Sequence, residues 1–109
     1  MKIESVPFTT TDLRTIAPTI HAGLRGEAIW RTFEMGNVRV RRVEYTPGYE
    51  ADHWCERGHV LHVLEGTLVT HLADGRVLTL TEGMTYVVAE GAEPHRSSAP
   101  GGATLFIVD

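Results

Sequence analysis

Leu68-Val69-Thr70-His71-Leu72-Ala73-Asp74-Gly75-Arg76-Val77-Leu78-Thr79-Leu80 decides the fold. Two short runs of Leu, Val and Thr flank Asp74-Gly75, a dipeptide that accepts the positive φ of a tight hairpin turn and suits the twist of paired strands. Similar runs recur at Glu27 to Phe33, Val38 to Tyr45, Val60 to Leu64, Met84 to Val88 and Thr104 to Val108. Each has the composition and the length of a strand. Between them lie turn signals: Glu34-Met35-Gly36-Asn37, Pro47-Gly48, Glu65-Gly66, Glu82-Gly83, Glu90-Gly91 and Pro100-Gly101-Gly102. Turns at this spacing predict an all-β chain, a sandwich or a barrel. No segment sustains a helical period; Asp12 to Ala17, just before Pro18, suits a single helical turn.

One strand breaks its own alternation. Val38 and Val40 share one phase and Val43 and Tyr45 the other, which predicts either a bulge near Arg41-Arg42 or a strand buried on both faces, one inward and one against a second subunit.

At 109 residues the chain reads as one domain able to bury a core without disulfides. Residues 1–25 are an N-terminal extension, available for exchange with a partner subunit, and residues 26–109 form the barrel. Cys55 is the only cysteine, and the first residues lead into no apolar signal core, so a reducing cytoplasmic setting is the expectation. A net charge of −4, scattered Lys and Arg and no apolar run of bilayer length argue against nucleic acid or membrane as partners. The densest basic cluster, Arg39, Arg41 and Arg42, is too short to track phosphates.

The chemistry concentrates in Asp52-His53-Trp54-Cys55, with His59 after it and Pro94-His95 downstream. If residues 52–55 are a strand, His53 and Cys55 point to one face and Trp54 to the other. A turn at Glu56-Arg57-Gly58 then returns His59 beside them, and Pro94 aims His95.

Gly48, His53, Cys55, His59 and Gly66 fall on the spacing of the first cupin motif, and Gly83, Gly91, Pro94 and His95 resemble the second. Ala51-Asp52-His53-Trp54-Cys55, Ala92-Glu93-Pro94-His95-Arg96-Ser97-Ser98 and the ending Leu105-Phe106-Ile107-Val108-Asp109 resemble, more closely, the small bacterial DHCW-motif cupins. The resemblance covers about Val38 to the end of the chain. It implies a jelly-roll barrel with a site in one mouth and His53, Cys55, His59 and His95 as metal ligands. The chain departs from the usual motif in carrying Cys55 where most cupins have a second His and His59 where they have a Glu. Cupins include dioxygenases, isomerases, decarboxylases, storage proteins and sugar-sensing domains, so the fold alone assigns no reaction.

Three imidazoles and a thiolate suit a divalent transition metal, with zinc favoured and nickel, iron or copper the alternatives; magnesium and calcium prefer oxygen. Four bound residues would close a structural site, whereas three would leave a position for water or substrate. Two functions stay open: a metal-dependent protein acting on a small organic molecule, and a non-catalytic sensing or structural module. A third reading makes Cys55 a thiolate nucleophile with a histidine base, but no orienting group or oxyanion loop accompanies it. Trp30, Phe33, Tyr45, Tyr86 and Phe106 are candidates for an apolar cavity wall or for plain core. Were Arg41, Arg42 or Arg96 to enter the barrel, the guest would be anionic. His62 falls on the face opposite His59, and with Trp54, Val60 and Leu64 predicts an outer surface buried in a homodimer. His21 and His71 read as surface histidines, and Asp52 as a turn residue or a support for a ligand.

Overall fold

A computed structural model describes residues 1–109, all of the chain. Ten strands follow one another: β1 (Thr19–Ala22), β2 (Glu27–Met35), β3 (Val38–Tyr45), β4 (Tyr49–Glu50), β5 (His59–Gly66), β6 (Leu68–Leu72), β7 (Val77–Leu80), β8 (Thr85–Val88), β9 (His95–Ala99) and β10 (Ala103–Val108). All pairings are antiparallel, in a six-stranded sheet of order β1-β2-β3-β10-β5-β8 and a four-stranded sheet of order β4-β9-β6-β7. The only helix is the 3₁₀ turn Leu13–Thr15, capped by Asp12, as the sequence predicts. Arg31 holds that turn across β2, its Nη1 donating to the carbonyl oxygens of Ile16 (2.5 Å) and Arg14 (3.3 Å).

The core lies between the sheets. Val43, Leu61, Val63, Leu105 and Ile107 from the larger sheet meet Leu68, Leu80 and Ala99 from the smaller, all buried. An isolated bridge between Arg25 and Glu50 joins the sheets on one side, whereas the edges of β7 and β8 are not paired with each other. No helix is long and apolar enough to cross a membrane.

Two sequence expectations need correction. Residues 52–55 are not a strand: the segment is irregular, with one isolated bridge between Cys55 and His95. β3 carries no bulge, since its register runs unbroken against β2 and β10. The bulge lies in β5, where Thr104 faces Glu65 but Leu105 faces Val63, so Leu64 is the inserted residue. The alternation in β3 breaks because Arg41 and Val43 point into the core while Val38 and Val40 are half-buried on the outer face. β1, β4 and β9 are not among the runs that strand composition marks out. β9 is His-Arg-Ser-Ser-Ala, and it is a strand because β6 and β4 flank it on both edges.

Gly66 shows where the bulge constrains the sequence. Its φ is +78°, and a Cβ there would lie 2.4 Å from the Gly102 carbonyl oxygen. Gly75, also at positive φ (+98°), has nothing within 4 Å of that position. Gly75→Ala should therefore cost about 1 kcal/mol, from backbone conformation alone. Gly66→Ala adds a backbone clash and should cost at least about 2–3 kcal/mol, read as the difference in denaturant midpoint between the two variants.

Candidate metal centre

Cys55 and His95 are neighbours because their backbones are paired. Cys55 N donates to His95 O at 2.7 Å and His95 N to Cys55 O at 2.9 Å, which sets the two side chains side by side. His59 opens β5, and the segment before it is pinned from the β8–β9 connection: Gly91 N donates to Glu56 O (2.8 Å), and Glu90 Oε2 accepts from Gly58 N (2.5 Å). Gly58 is required for this approach, since a Cβ would fall 2.6 Å from Glu90 N. The ligating atoms of Cys55, His59 and His95 then lie within 4.8 Å of one another, and the two imidazoles meet edge to face with centroids 4.9 Å apart.

The hydrogen bonds orient these rings outward from the scaffold and toward the cluster. A carbonyl can only accept, so His95 Nδ1 carries a proton and donates it to Glu93 O at 2.9 Å. His95 Nε2 is left with its lone pair, buried and without any partner. His59 Nε2 pairs with the Tyr86 hydroxyl at 2.9 Å, and its Nδ1 is likewise buried and unpartnered. Two orphaned imidazole nitrogens beside a thiol are costly for a protein alone. They suit a bound divalent metal, with Glu93 O fixing the His95 tautomer and the Tyr86 hydroxyl holding the His59 ring in place. The Cys–His–His group could therefore hold such an ion.

The electrostatics are consistent with that arrangement. The close approach of His95 lowers the Cys55 thiol, helped by a backbone N–H, and the same approach raises His95. His59 moves the other way, down to about 4, because burial and the neighbouring His95 disfavour its charged form.

His53 is not in this cluster. Its side chain is 75% exposed, and its Nδ1 pairs with Asp52 Oδ1 at 2.7 Å, although the residue lines the rim of the same cavity. His62 is on the opposite face of β5, bonded to Thr85 Oγ1 at 2.7 Å. His71 pairs loosely with Ser98 (3.4 Å), and His21 lies over Trp30.

The cavity beside the cluster measures about 280 Å³ and is walled in part by Trp30, Tyr45 and Tyr86. Phe33 and Phe106 do not line it; they belong to the outer phase of β2 and β10. Arg41 does enter the barrel. It is 6% exposed and stacks over Trp30 at 4.4 Å. Arg42 points outward to Glu44, and Arg96 lies over Trp54 at the cavity rim, 4.8 Å from the ring.

Sequence patterns had not singled out Asp109, Arg39 or Arg57. Asp109, 1% exposed at its side chain, takes two 2.8 Å hydrogen bonds from Arg39 and one of 3.3 Å from Arg41. Its Oδ2 lies 3.5 Å from Arg57 Nε and 4.0 Å from His59 Nδ1. The guanidiniums hold its carboxyl below the usual range against the opposing effect of burial. The only available signal was the strand phase of Arg39 and Arg41, both in register with Val43.

No protein-family model matches the chain, and no curated protein does. Solved structures do. A predicted oxalate decarboxylase from Thermotoga maritima is 17% identical, with 92% of this chain and 96% of that one covered and a TM-score of 0.78. Ectoine synthase from P. lautus is 16% identical over 93% and 76% of the two chains, at 0.75. An RmlC-like cupin from Shewanella frigidimarina is 20% identical over 84% and 81%, at 0.67. The chain has the cupin fold. At these identities the likeness extends to the architecture, and the chemistry of the site rests on this chain's own residues.

The depressed His59 has a consequence for stability. An unfolded histidine takes up its proton near pH 6.5, whereas folded His59 stays neutral down to about pH 4. The unfolded state thus binds more protons in this window, and the metal-free cupin should lose stability as pH falls from about 6.5 to about 4. His59→Gln, compared with the parent by chemical denaturation at pH 7 and pH 4.5, should remove on the order of 2–3 kcal/mol of that loss.

Proposed function

We propose that this cupin binds a divalent transition metal through Cys55, His59 and His95, and uses the adjacent cavity to bind or act on a small organic molecule. His53, on the cavity rim, is the proposed fourth ligand, exchangeable with the guest. The observation that carries this reading is the pair of buried, unpartnered nitrogens, His59 Nδ1 and His95 Nε2, facing a half-buried thiol. Zinc is the favoured ion for two imidazoles and a thiolate, with nickel, iron and copper behind it. Bound there, a divalent metal would supply Lewis acidity to an oxygen of the guest. The chain's own residues orient the ligands, Glu93 O fixing the His95 tautomer and Tyr86 holding the His59 ring, and wall the guest with Trp30 and Tyr45. The cavity beside the cluster supports a ligand-binding role over a purely structural metal site. Asp52 to Cys55 supports a place among the DHCW-motif cupins, and a thiolate ligand suits a reducing cytoplasm.

A homodimer belongs to the same proposal. Phe33, Val40, Val108, Val60 and Val87 are successive cross-strand partners and form one apolar row across the outer face of the six-stranded sheet. A second copy would cover that row by two-fold symmetry. Residues 1–25, where Phe8 is 98% exposed, are the proposed exchange segment, although within one chain Arg31 holds the carbonyls of Arg14 and Ile16 and β1 pairs with β2.

Two measurements test these readings. Elemental analysis of freshly purified protein should find close to one transition metal per chain. Cys55→Ser and His95→Ala should each weaken zinc binding more than about tenfold, His53→Ala should weaken it less, and His62→Ala should leave it unchanged. A protein that carries no metal, and that added zinc or nickel neither binds nor stabilises, would sink the metal reading. For assembly, light scattering at micromolar concentration should give a dimer for the parent and a monomer for Val60→Glu, because a charge on the apolar row cannot be buried unpaired.

A further inference from the structure

Leu78 and Leu80 stand two residues apart on the inward face of β7, opposite Thr70 and Leu68, yet Leu80 is 4% exposed and Leu78 45%. An inward leucine left half open marks a place where the two sheets do not close on each other. β7 is bonded only to β6 and β8 only to β5, so two strand edges border a gap. Within it lies a cleft of about 310 Å³, floored by Leu72, Leu78, Leu80, Met84, Tyr86 and Val88. It is distinct from the mouth cavity. The two share Tyr86 and His95 alone, which form a partition between them. The metal reading above makes no use of this cleft.

The chemistry of the cleft bounds what it takes. At its rim Arg76 and Glu93 are 3.3 Å apart, and Arg76 Nε also donates to Asp74 at 2.9 Å, so these charges are satisfied among themselves. A charged guest would find no free counter-ion there and would lose its water. Polar partners lie on the strand edges instead. Leu72 N donates to Arg76 O and Val63 N to Met84 O, both at 2.9 Å. Because antiparallel ladders alternate, the backbone groups of Val77 and Thr79 in β7, and of Thr85 and Val87 in β8, are turned away from their own sheets toward the gap. We infer that the seam between β7 and β8 is a second binding site. It takes a small uncharged molecule, with an aliphatic or cyclic hydrocarbon body against the leucines and one hydroxyl or carbonyl oxygen on a strand edge. The volume suits a guest of about six to ten non-hydrogen atoms. Such a guest rests on the far side of His95 and of Tyr86, whose hydroxyl pairs with His59, and so touches the candidate metal centre from the side opposite the mouth.

Titration of the full chain with 1-hexanol and with hexanoate, followed by NMR, tests the site. The methyl resonances of Met84 and Leu78 should move saturably with 1-hexanol, with a midpoint of about 1 mM, while the indole N–H of Trp30 in the mouth stays in place. Hexanoate has the same length and a charge, and should bind about tenfold more weakly or worse. Leu78→Trp fills the cleft from a side chain that is already half open, and should weaken 1-hexanol binding at least about tenfold. Val77→Trp, on the outer phase of the same strand and also exposed, should bind it as the parent does. The site is overturned if the Met84 shifts do not saturate, if 1-hexanol moves Trp30 and not Met84, or if hexanoate binds as well as 1-hexanol. It is overturned equally if Leu78→Trp binds like the parent, or if Val77→Trp loses as much as Leu78→Trp. None of these readouts needs a bound ion, so failure of zinc to bind would remove the metal reading and leave this one to be decided on its own.

Discussion

The position of β10 between β3 and β5 is the constraint on which the rest of the site depends. Ile107 faces Arg41 on one side and Leu61 on the other, and Val108 faces Val40 and Val60. One step further, Asp109 and Arg39 exchange backbone hydrogen bonds of 2.6 and 2.9 Å. That register delivers a carboxylate, two guanidiniums and His59 to the same end of the barrel. A shift of one residue would turn Arg39 and Arg41 to the outer face, put Val38 and Val40 in the core and separate Asp109 from both.

The charge at that end has a cost in stability. Buried ion pairs are often no more stabilising than the apolar groups that could replace them, and losing one partner is far more damaging than losing both. Asp109 is held ionised by Arg39, Arg41 and Arg57 although its burial opposes this. Burial likewise lowers Arg41. An apolar core would have been the cheaper solution at these positions. What the charged arrangement supplies is a pre-oriented positive wall beside a set of metal-capable donors, with Trp30 under the guanidinium limiting its motion.

The donor set has its own logic. Cys55 occupies an irregular segment, where a side chain is poorly positioned by local structure, yet its two backbone bonds to His95 fix it as firmly as a strand would. His53, two residues earlier, has no such bonds beyond its contact with Asp52 and remains at the rim. The difference separates donors that the fold presents from one that would have to be drawn in.

The all-β class and most of the strands were legible in local sequence, because Val, Leu and Thr runs between glycine-bearing turns leave few alternatives: β3, β6 and β7 match the residues from which they were read. His59 and His95 were legible for a similar reason, each standing at the start of a run or directly after a proline. Local sequence did not hold what depended on pairing partners. β9 is a strand only because β6 and β4 flank it, Cys55 is placed by a bridge across forty residues, and the bulge falls at Leu64 because β10 demands it there. Asp109 and Arg39 lie seventy residues apart, so no spacing rule connects them. Strand propensity and turn chemistry act over a few residues and can be read in order. A site built where three strands converge is a property of register, and register exists only once the sheet has formed.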